Sequence, residues 1–463
     1  MVFSSVIFLF YFLPIVLLGN FLLRNIQLKN LFLLICSLLF YMWGEGELVV
    51  LVILSALFNY LIGLGLAYSR IPKAILIIGI LLNIGLLGYY KYYEFIIENL
   101  NVLGFNIVHQ NSILLPIGIS FFTFHGLSYI IDVYRDKKLV QKNVSNLLLY
   151  ITFFPQLVAG PIVRYHDISQ QLNKREVSVD KMTEGIKRFI IGLAKKVLIA
   201  NTLGALATQI FSTDTSLIGT GPVWLAIIAY SFQIYYDFSG YSDMAIGLAK
   251  FFGFDFPENF NFPYISKSVK EFWQRWHLSL SNWFKDYLYI PLGGSKNGNF
   301  KTYRNLMIVF LCTGIWHGAS WNFIVWGCTH GILIIIERLF LLKYLEKSSI
   351  ISRIYLMTTI VTTWLFFTIE DFSKIIIYLK KMYFISGTSG ILHLNVFMSL
   401  ETVTILVLAI IFSVPWHRII IIKTPKTVTI ANYLNTIFLL VLFLLCISNL
   451  ASETYNPFIY FRF

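Results

Sequence analysis

His317 stands between two apolar runs, within Thr313-Gly-Ile-Trp-His317-Gly-Ala-Ser-Trp-Asn322. Imidazole is the side chain that moves a proton near neutral pH, so a general base is one reading of this position. Gly314 and Gly318, four apart, let a neighbouring helix approach closely. The competing reading is a packed histidine with no chemical task. His277 occupies a second frame, Lys267-Ser-Val-Lys-Glu-Phe-Trp-Gln-Arg-Trp-His277-Leu-Ser-Leu-Ser-Asn-Trp-Phe-Lys-Asp-Tyr287. Its apolar positions Val269, Phe272, Trp273, Trp276, Leu280, Trp283, Phe284 and Tyr287 step by three and four. That spacing predicts an interfacial amphipathic helix with His277 bordering the apolar face, as a second polar group or as a satisfied structural residue. A third stretch, Gln233 to Asp243, sets Asp237 and Asp243 inside an apolar segment. Carboxylates at that depth are costly and mark either a substrate site or a buried network joining helices.

Other chemistries lack their residues. No His-Glu-x-x-His pair, Gly-x-Ser-x-Gly elbow, phosphate loop or dinucleotide fingerprint occurs, and no metal is expected. Cys36, Cys312, Cys328 and Cys446 all fall in or beside apolar runs, without disulfide or zinc spacing. Cys312 lies five residues before His317, but an apolar surrounding leaves a thiol inert. His109, His125, His166, His330, His393 and His417 have no motif of their own.

The elements that position these groups follow from composition. Hydrophobic residues make up 57% of the 463-residue chain and charged residues 13%, about half the charged share of a soluble domain. The apolar runs are long and unbroken rather than alternating, so helices and not barrel strands are predicted. Twelve segments qualify: 4–23, 30–44, 48–68, 74–90, 113–133, 189–211, 222–250, 304–320, 322–341, 353–369, 397–414 and 430–449. The expected fold is all-α: a polytopic membrane protein of roughly 11–12 transmembrane helices, one domain over 1–463, with re-entrant and interfacial helices. The stretch 146–163 is apolar but carries Pro155, Gly160 and Pro161, which predicts a re-entrant segment. The first 23 residues carry no charge, so they read as a first span rather than a cleaved signal.

Net charge is +13. In a membrane protein that surplus reflects Lys and Arg in cytoplasmic loops, and no nucleic-acid partner is implied. Arg24, Arg70, Lys137, Lys267, Lys285, Lys343 and Arg418 fall in one set of loops; Glu45, Glu94, Asp214, Glu370 and Asp371 fall in the alternate set. The first set reads as cytoplasmic, although Lys374, Lys380 and Lys381 break the pattern. An even number of spans would put both termini outside.

Seven segments together resemble the membrane-bound O-acyltransferase family, in its bacterial alginate O-acetyltransferase-like branch. They are Pro116-Ile-Gly-Ile-Ser-Phe-Phe-Thr-Phe, Phe154-Pro-Gln-Leu-Val-Ala-Gly-Pro-Ile, Tyr236-Asp-Phe-Ser-Gly-Tyr-Ser-Asp, Phe272-Trp-Gln-Arg-Trp-His277, Tyr289-Ile-Pro-Leu-Gly-Gly, Trp316-His317-Gly318 and Phe458-Ile-Tyr-Phe-Arg-Phe463. The resemblance implies a funnel-shaped bundle in a bacterial cytoplasmic (inner) membrane. It also implies movement of an acetyl group from acetyl-CoA toward an envelope polysaccharide such as alginate, peptidoglycan or a secondary wall polymer. His317 maps to the family's catalytic histidine and His277 to its second polar residue. Tyr460 maps to a tail tyrosine proposed as a covalent acyl relay, and a partner of the SGNH-hydrolase type would complete the transfer. Lys267, Lys270, Arg275 and Arg164 are candidates for the coenzyme phosphates, though the positive-inside rule accounts for them equally. Two other readings stay open: D-alanyl transfer from a carrier protein to teichoic acid, and a lipid-linked sugar transporter. The latter usually shows matched halves, and no internal repeat is visible.

Overall fold

The structure is a computed structural model that describes residues 2–107, 113–384, 390–415, 425–452 and 458–459, with side chains in the last long helix described from residue 433. It is 76% helical, and no strand occurs among the described residues. Each of the twelve apolar segments is helical over most of its length. Among the described residues, six stretches are long and apolar enough to cross a membrane: Ile26–Tyr68, Pro72–Val102, Val179–Ser212, Trp321–Leu345, Ser349–Thr368 and Tyr433–Ser452. Phe8–Leu22 and Leu400–Phe412 are apolar but shorter. Large side chains such as Phe21, Leu81 and Leu444 are exposed. In water such a surface would aggregate; against lipid tails it is already solvated. The chain is a multi-pass membrane protein.

Two compact units make up the chain. One comprises Met1–Phe189 and Ser242–Pro257. Its helices are joined by buried amides: Asn59 and Asn83 exchange side-chain hydrogen bonds of 3.2 and 2.9 Å. Gly126 lies against that pair, where a Cβ would come within 2.6 Å of the Asn59 Nδ2. The Pro- and Gly-containing stretch forms two short helices, Val144–Thr152 and Phe154–Leu157, and residues 149–163 are all buried. Irregular backbone at membrane depth needs that enclosure, because no water is present to satisfy its polar groups. Asp243 pairs with Arg188 at 2.9 Å within this unit.

The other unit comprises Ile190–Tyr241 and Glu258–Phe463. Helices Asn299–His317 and Trp321–Ile336 form a tight hairpin within it. Gly314 and Gly327 meet at their crossing: a Cβ on either would lie 2.4 Å from a backbone carbonyl oxygen, of Phe323 and Phe310 respectively. The predicted continuous amphipathic helix over 267–287 is in fact two, Val269–Trp273 and Leu278–Phe284. Ser268 caps the first by accepting the Glu271 N–H at 3.0 Å. The chain then breaks at His277, whose φ of 44° and ψ of 54° are left-handed. A three-four spacing cannot reveal such a break, because both halves keep their apolar positions on the buried side.

Candidate active site

His317 ends the helix Asn299–His317 and is 1% exposed. Its ring sits among those of Trp316, Trp326 and Phe367, at centroid distances of 4.9, 5.2 and 5.1 Å. Gly318 then admits the Phe323 ring, which a Cβ there would meet at 2.2 Å. Asn322 fixes another wall of the cage. Its amide donates to the carbonyls of Phe366 at 2.9 Å and Ile369 at 3.2 Å, holding Phe367 against the imidazole. The small residues, the amide and the aromatic rings of this motif thus serve one end: a histidine enclosed away from bulk water.

His277 is 0% exposed. Its Nδ1 lies 3.0 Å from the Asn259 Oδ1, which also accepts the Ser279 N–H at 3.2 Å and the Ser279 hydroxyl at 2.9 Å. An atom that takes a backbone N–H is the carbonyl oxygen, so the Nδ1 of His277 is the donor. That bond fixes the tautomer and leaves the Nε2 lone pair as the ring's basic position. The ring stands edge-on to Phe238 at 4.6 Å and 5.9 Å from Trp316. The indole of Trp316 is therefore flanked by both histidines. Asn259 carries no motif signal; it lies 18 residues upstream of His277, and only the left-handed turn brings the two together.

Asp237 forms a buried pair with Lys196, 2.6 Å apart and 1% and 4% exposed. With Asp243 paired to Arg188, both carboxylates of that stretch have structural partners. Asp237 has a further contact: its Oδ2 accepts the backbone N–H of Ile459 at 2.8 Å. Phe458 stacks on Tyr241 at 4.7 Å. Tyr460, His109 and His417 lie outside the described residues.

Two cavities approach the His317 cage, both within this unit. One, of about 620 Å³, has a largely apolar wall including Trp273, Phe284, Phe310 and Thr313, with Lys270, Lys285 and Arg338 among its lining. Thr313 is one turn before His317, and Trp273 packs on Trp326 at 5.7 Å. The other, of about 540 Å³, is lined by Gln233, Phe323, Phe367, Glu370, Asp371, Phe458 and Ile459 among others. Of the four basic residues singled out from sequence, Lys270 lines the first cavity and Lys267 an adjoining groove. Arg275 is paired with Glu271 at 2.9 Å, and Arg164 with Asp167 at 2.8 Å. Lys285 and Arg338 were not distinguishable in sequence from other loop cations.

A buried imidazole in an aromatic enclosure whose surrounding residues line two cavities suits transfer of an activated group to a hydroxyl. The model of the MBOAT, membrane-bound O-acyltransferase family, matches residues 105–367. The chain is 39% identical over 493 residues to a probable alginate O-acetylase, AlgI, of Pseudomonas putida, covering 100% of both chains. It is 47% identical over 346 residues to a probable alginate O-acetylase, AlgI, of Pseudomonas aeruginosa, covering 73% of this chain and 66% of that one. A peptidoglycan O-acetyltransferase of Helicobacter pylori is 35% identical over 436 residues, covering 85% of this chain and 82% of its own. The chain belongs to the membrane-bound O-acyltransferase family and is an acyltransferase.

Proposed function

We propose that this protein moves an acetyl group from acetyl-CoA, a cytoplasmic thioester, across a bacterial inner membrane for O-acetylation of an envelope polysaccharide such as alginate or peptidoglycan. The observation that carries the reading is the caged His317 between two cavities of different character, one apolar with Lys270, Lys285 and Arg338, the other more polar with Gln233, Glu370, Asp371 and Lys374. The names of the relatives support the acetyl group and the envelope acceptor. A thioester bearing phosphates suits the first cavity: cations for the phosphates, apolar wall for the acyl arm. The acceptor hydroxyl enters from the second. His317, neutral, takes the hydroxyl proton as the oxygen attacks the acetyl carbonyl. The C–O bond forms, the C–S bond breaks, and the proton passes to the departing thiolate. The enclosing rings exclude water, which would otherwise hydrolyse the thioester. In this reading Tyr460 is the first acceptor, and a partner of the SGNH-hydrolase type takes the acetyl group onward.

Purified protein in lipid nanodiscs, given acetyl-CoA labelled in the acetyl group, should release free thiol and retain label. Absence of both in the presence of membranes competent for polysaccharide acetylation would sink the proposal.

A further inference from the structure

The short helix Val269–Trp273 supplies two walls of the larger cavity, Lys270 and Trp273, yet has only five residues. A helix so short has no stability of its own; its place must be set from outside. Both its ends are tied to one neighbouring helical stretch, Trp321–Leu345. At the start, the buried Glu337 carboxylate accepts the N–H groups of Val269 at 2.6 Å and Lys270 at 3.0 Å. At the end, the Nδ1 of the buried His330 accepts the indole N–H of Trp273 at 3.2 Å. An Nδ1 that accepts leaves the ring proton on Nε2, so this imidazole is held as a single neutral tautomer. The same ring packs edge-on to Trp326 at 4.9 Å, and Trp326 in turn packs on His317.

We propose that Glu337 and His330 are positioning residues for donor binding: Glu337 sets the Lys270 end of the cavity and His330 sets Trp273 and the Trp326 plate behind His317. The inference rests on reading that cavity as the donor site. Neither residue touches the reacting atoms. Their spacing explains their pairing, since residues seven apart recur on one helix face. Glu337 and His330 thus hold Val269–Trp273 in register from one rigid element. An apolar residue at 330 would fill the space but strand the buried Trp273 N–H, which has no second acceptor among the described residues.

The test measures KM and kcat of the full-length protein in nanodiscs with two donors, acetyl-CoA and the phosphate-free acetyl-pantetheine, alongside Tm. Glu337→Gln keeps one acceptor oxygen and should raise the KM for acetyl-CoA by about tenfold, the scale of a lost charge-assisted bond. It should leave the KM for acetyl-pantetheine within about twofold, because only the phosphates need Lys270 in place. His330→Leu should raise KM about fivefold for both donors, with kcat held within about twofold, as one neutral hydrogen bond predicts. His330→Gln should restore most of the loss, and Trp273→Phe should add nothing in the His330→Leu background. Wild-type KM values in both Glu337→Gln and His330→Leu overturn the inference while leaving the donor reading intact. Lowered Tm with unshifted KM also overturns it, making both residues structural. A wild-type protein that releases no thiol from acetyl-CoA sinks the donor reading and this inference with it.

Discussion

At the scale of single residues, the assignment turns on what His317 and His277 each lose when changed. His317 makes ring contacts to Trp316, Trp326 and Phe367. His317→Ala should cut acetyl transfer by about 10³-fold or more, within the range of a lost general base. Tm should stay within a few degrees, which separates chemistry from packing; more than a few per cent of wild-type turnover in the purified variant would refute the role. For His277 the informative change is one step removed. Asn259→Ala removes the acceptor of the His277 Nδ1–H and of two Ser279 donors. Leaving buried donors unpaired costs about 1–3 kcal/mol, so activity should fall by about tenfold or more along with a lowered Tm. Unchanged kinetics in Asn259→Ala would show that the orientation of His277 is immaterial. The two histidines were legible in sequence because an imidazole among apolar residues is conspicuous. Asn259 was not: its contact is made through a left-handed backbone at His277, which local spacing does not encode. The cage residue Phe367 was equally hidden, since its position depends on Asn322 reaching two carbonyls 44 and 47 residues downstream.

At the scale of elements, helix identity was readable from apolar run length, and each of the twelve runs is helical over most of its length. Crossing geometry was readable only in part. Gly314 was expected to admit a neighbouring helix, and it does; its counterpart Gly327 shares its helix with Gly331 four residues on, but the spacing of small residues does not say which of them meets Gly314. Gly314→Ala would drive a Cβ to 2.4 Å from the Phe323 carbonyl oxygen, and backbone cannot step aside as a flexible side chain can. It should destabilise by about 1–3 kcal/mol. Gly85→Ala, where a Cβ meets nothing within 4 Å inside a helix, is the control and should leave Tm unchanged or slightly raised. Thermal unfolding of the two variants in the same detergent decides it; equal Tm values would show that the close crossing does not limit stability. In the other unit, a charged group ties the chain leaving the buried 149–163 stretch to helix Ile119–Arg135. His166 is held by Asp132 at 2.9 Å and by Asp167 at 3.2 Å. Those bonds raise the imidazole from 6.5 to about 9. A raised folded value gives stability that is full below about 6.5 and lost as pH climbs through about 9. The His166 side chain is 37% exposed, so solvent screens the effect and it should be modest. His166→Gln should flatten the decline of Tm between pH 6.5 and pH 9; an identical slope in the variant would assign the decline elsewhere.

At the scale of the whole molecule, the question is how an acyl group leaves a dry site without water entering. The polar cavity offers one answer, because part of its wall is the end of the chain itself: Phe458 and Ile459 line it with Phe367, whose ring also touches His317. The segment is held by means that do not depend on its side-chain order alone. Asp237 takes the Ile459 backbone N–H at 2.8 Å, and Phe458 stacks on Tyr241 at 4.7 Å. Asp237 is itself fixed by Lys196, so the hydrogen bond is made to a buried, oriented carboxylate. A mere interfacial anchor would set its aromatic residues in the headgroup region and would need no such acceptor. Tyr460 is the next residue in sequence. On the proposed reading its phenol is the nucleophile, with a neutral histidine taking its proton. On the same proposal the aryl ester stays activated, so that a serine of an SGNH-hydrolase-type partner would take the acetyl group from it. Tyr460→Phe keeps the ring and removes only the hydroxyl, so folding, membrane insertion and donor binding should persist. Polysaccharide acetylation should cease, and intact mass spectrometry after donor incubation should find one added acetyl group on wild type and none on the variant. Full acetylation by Tyr460→Phe would return the tail to an anchoring role and require the acceptor hydroxyl to reach His317 directly through the cavity lined by Glu370 and Asp371.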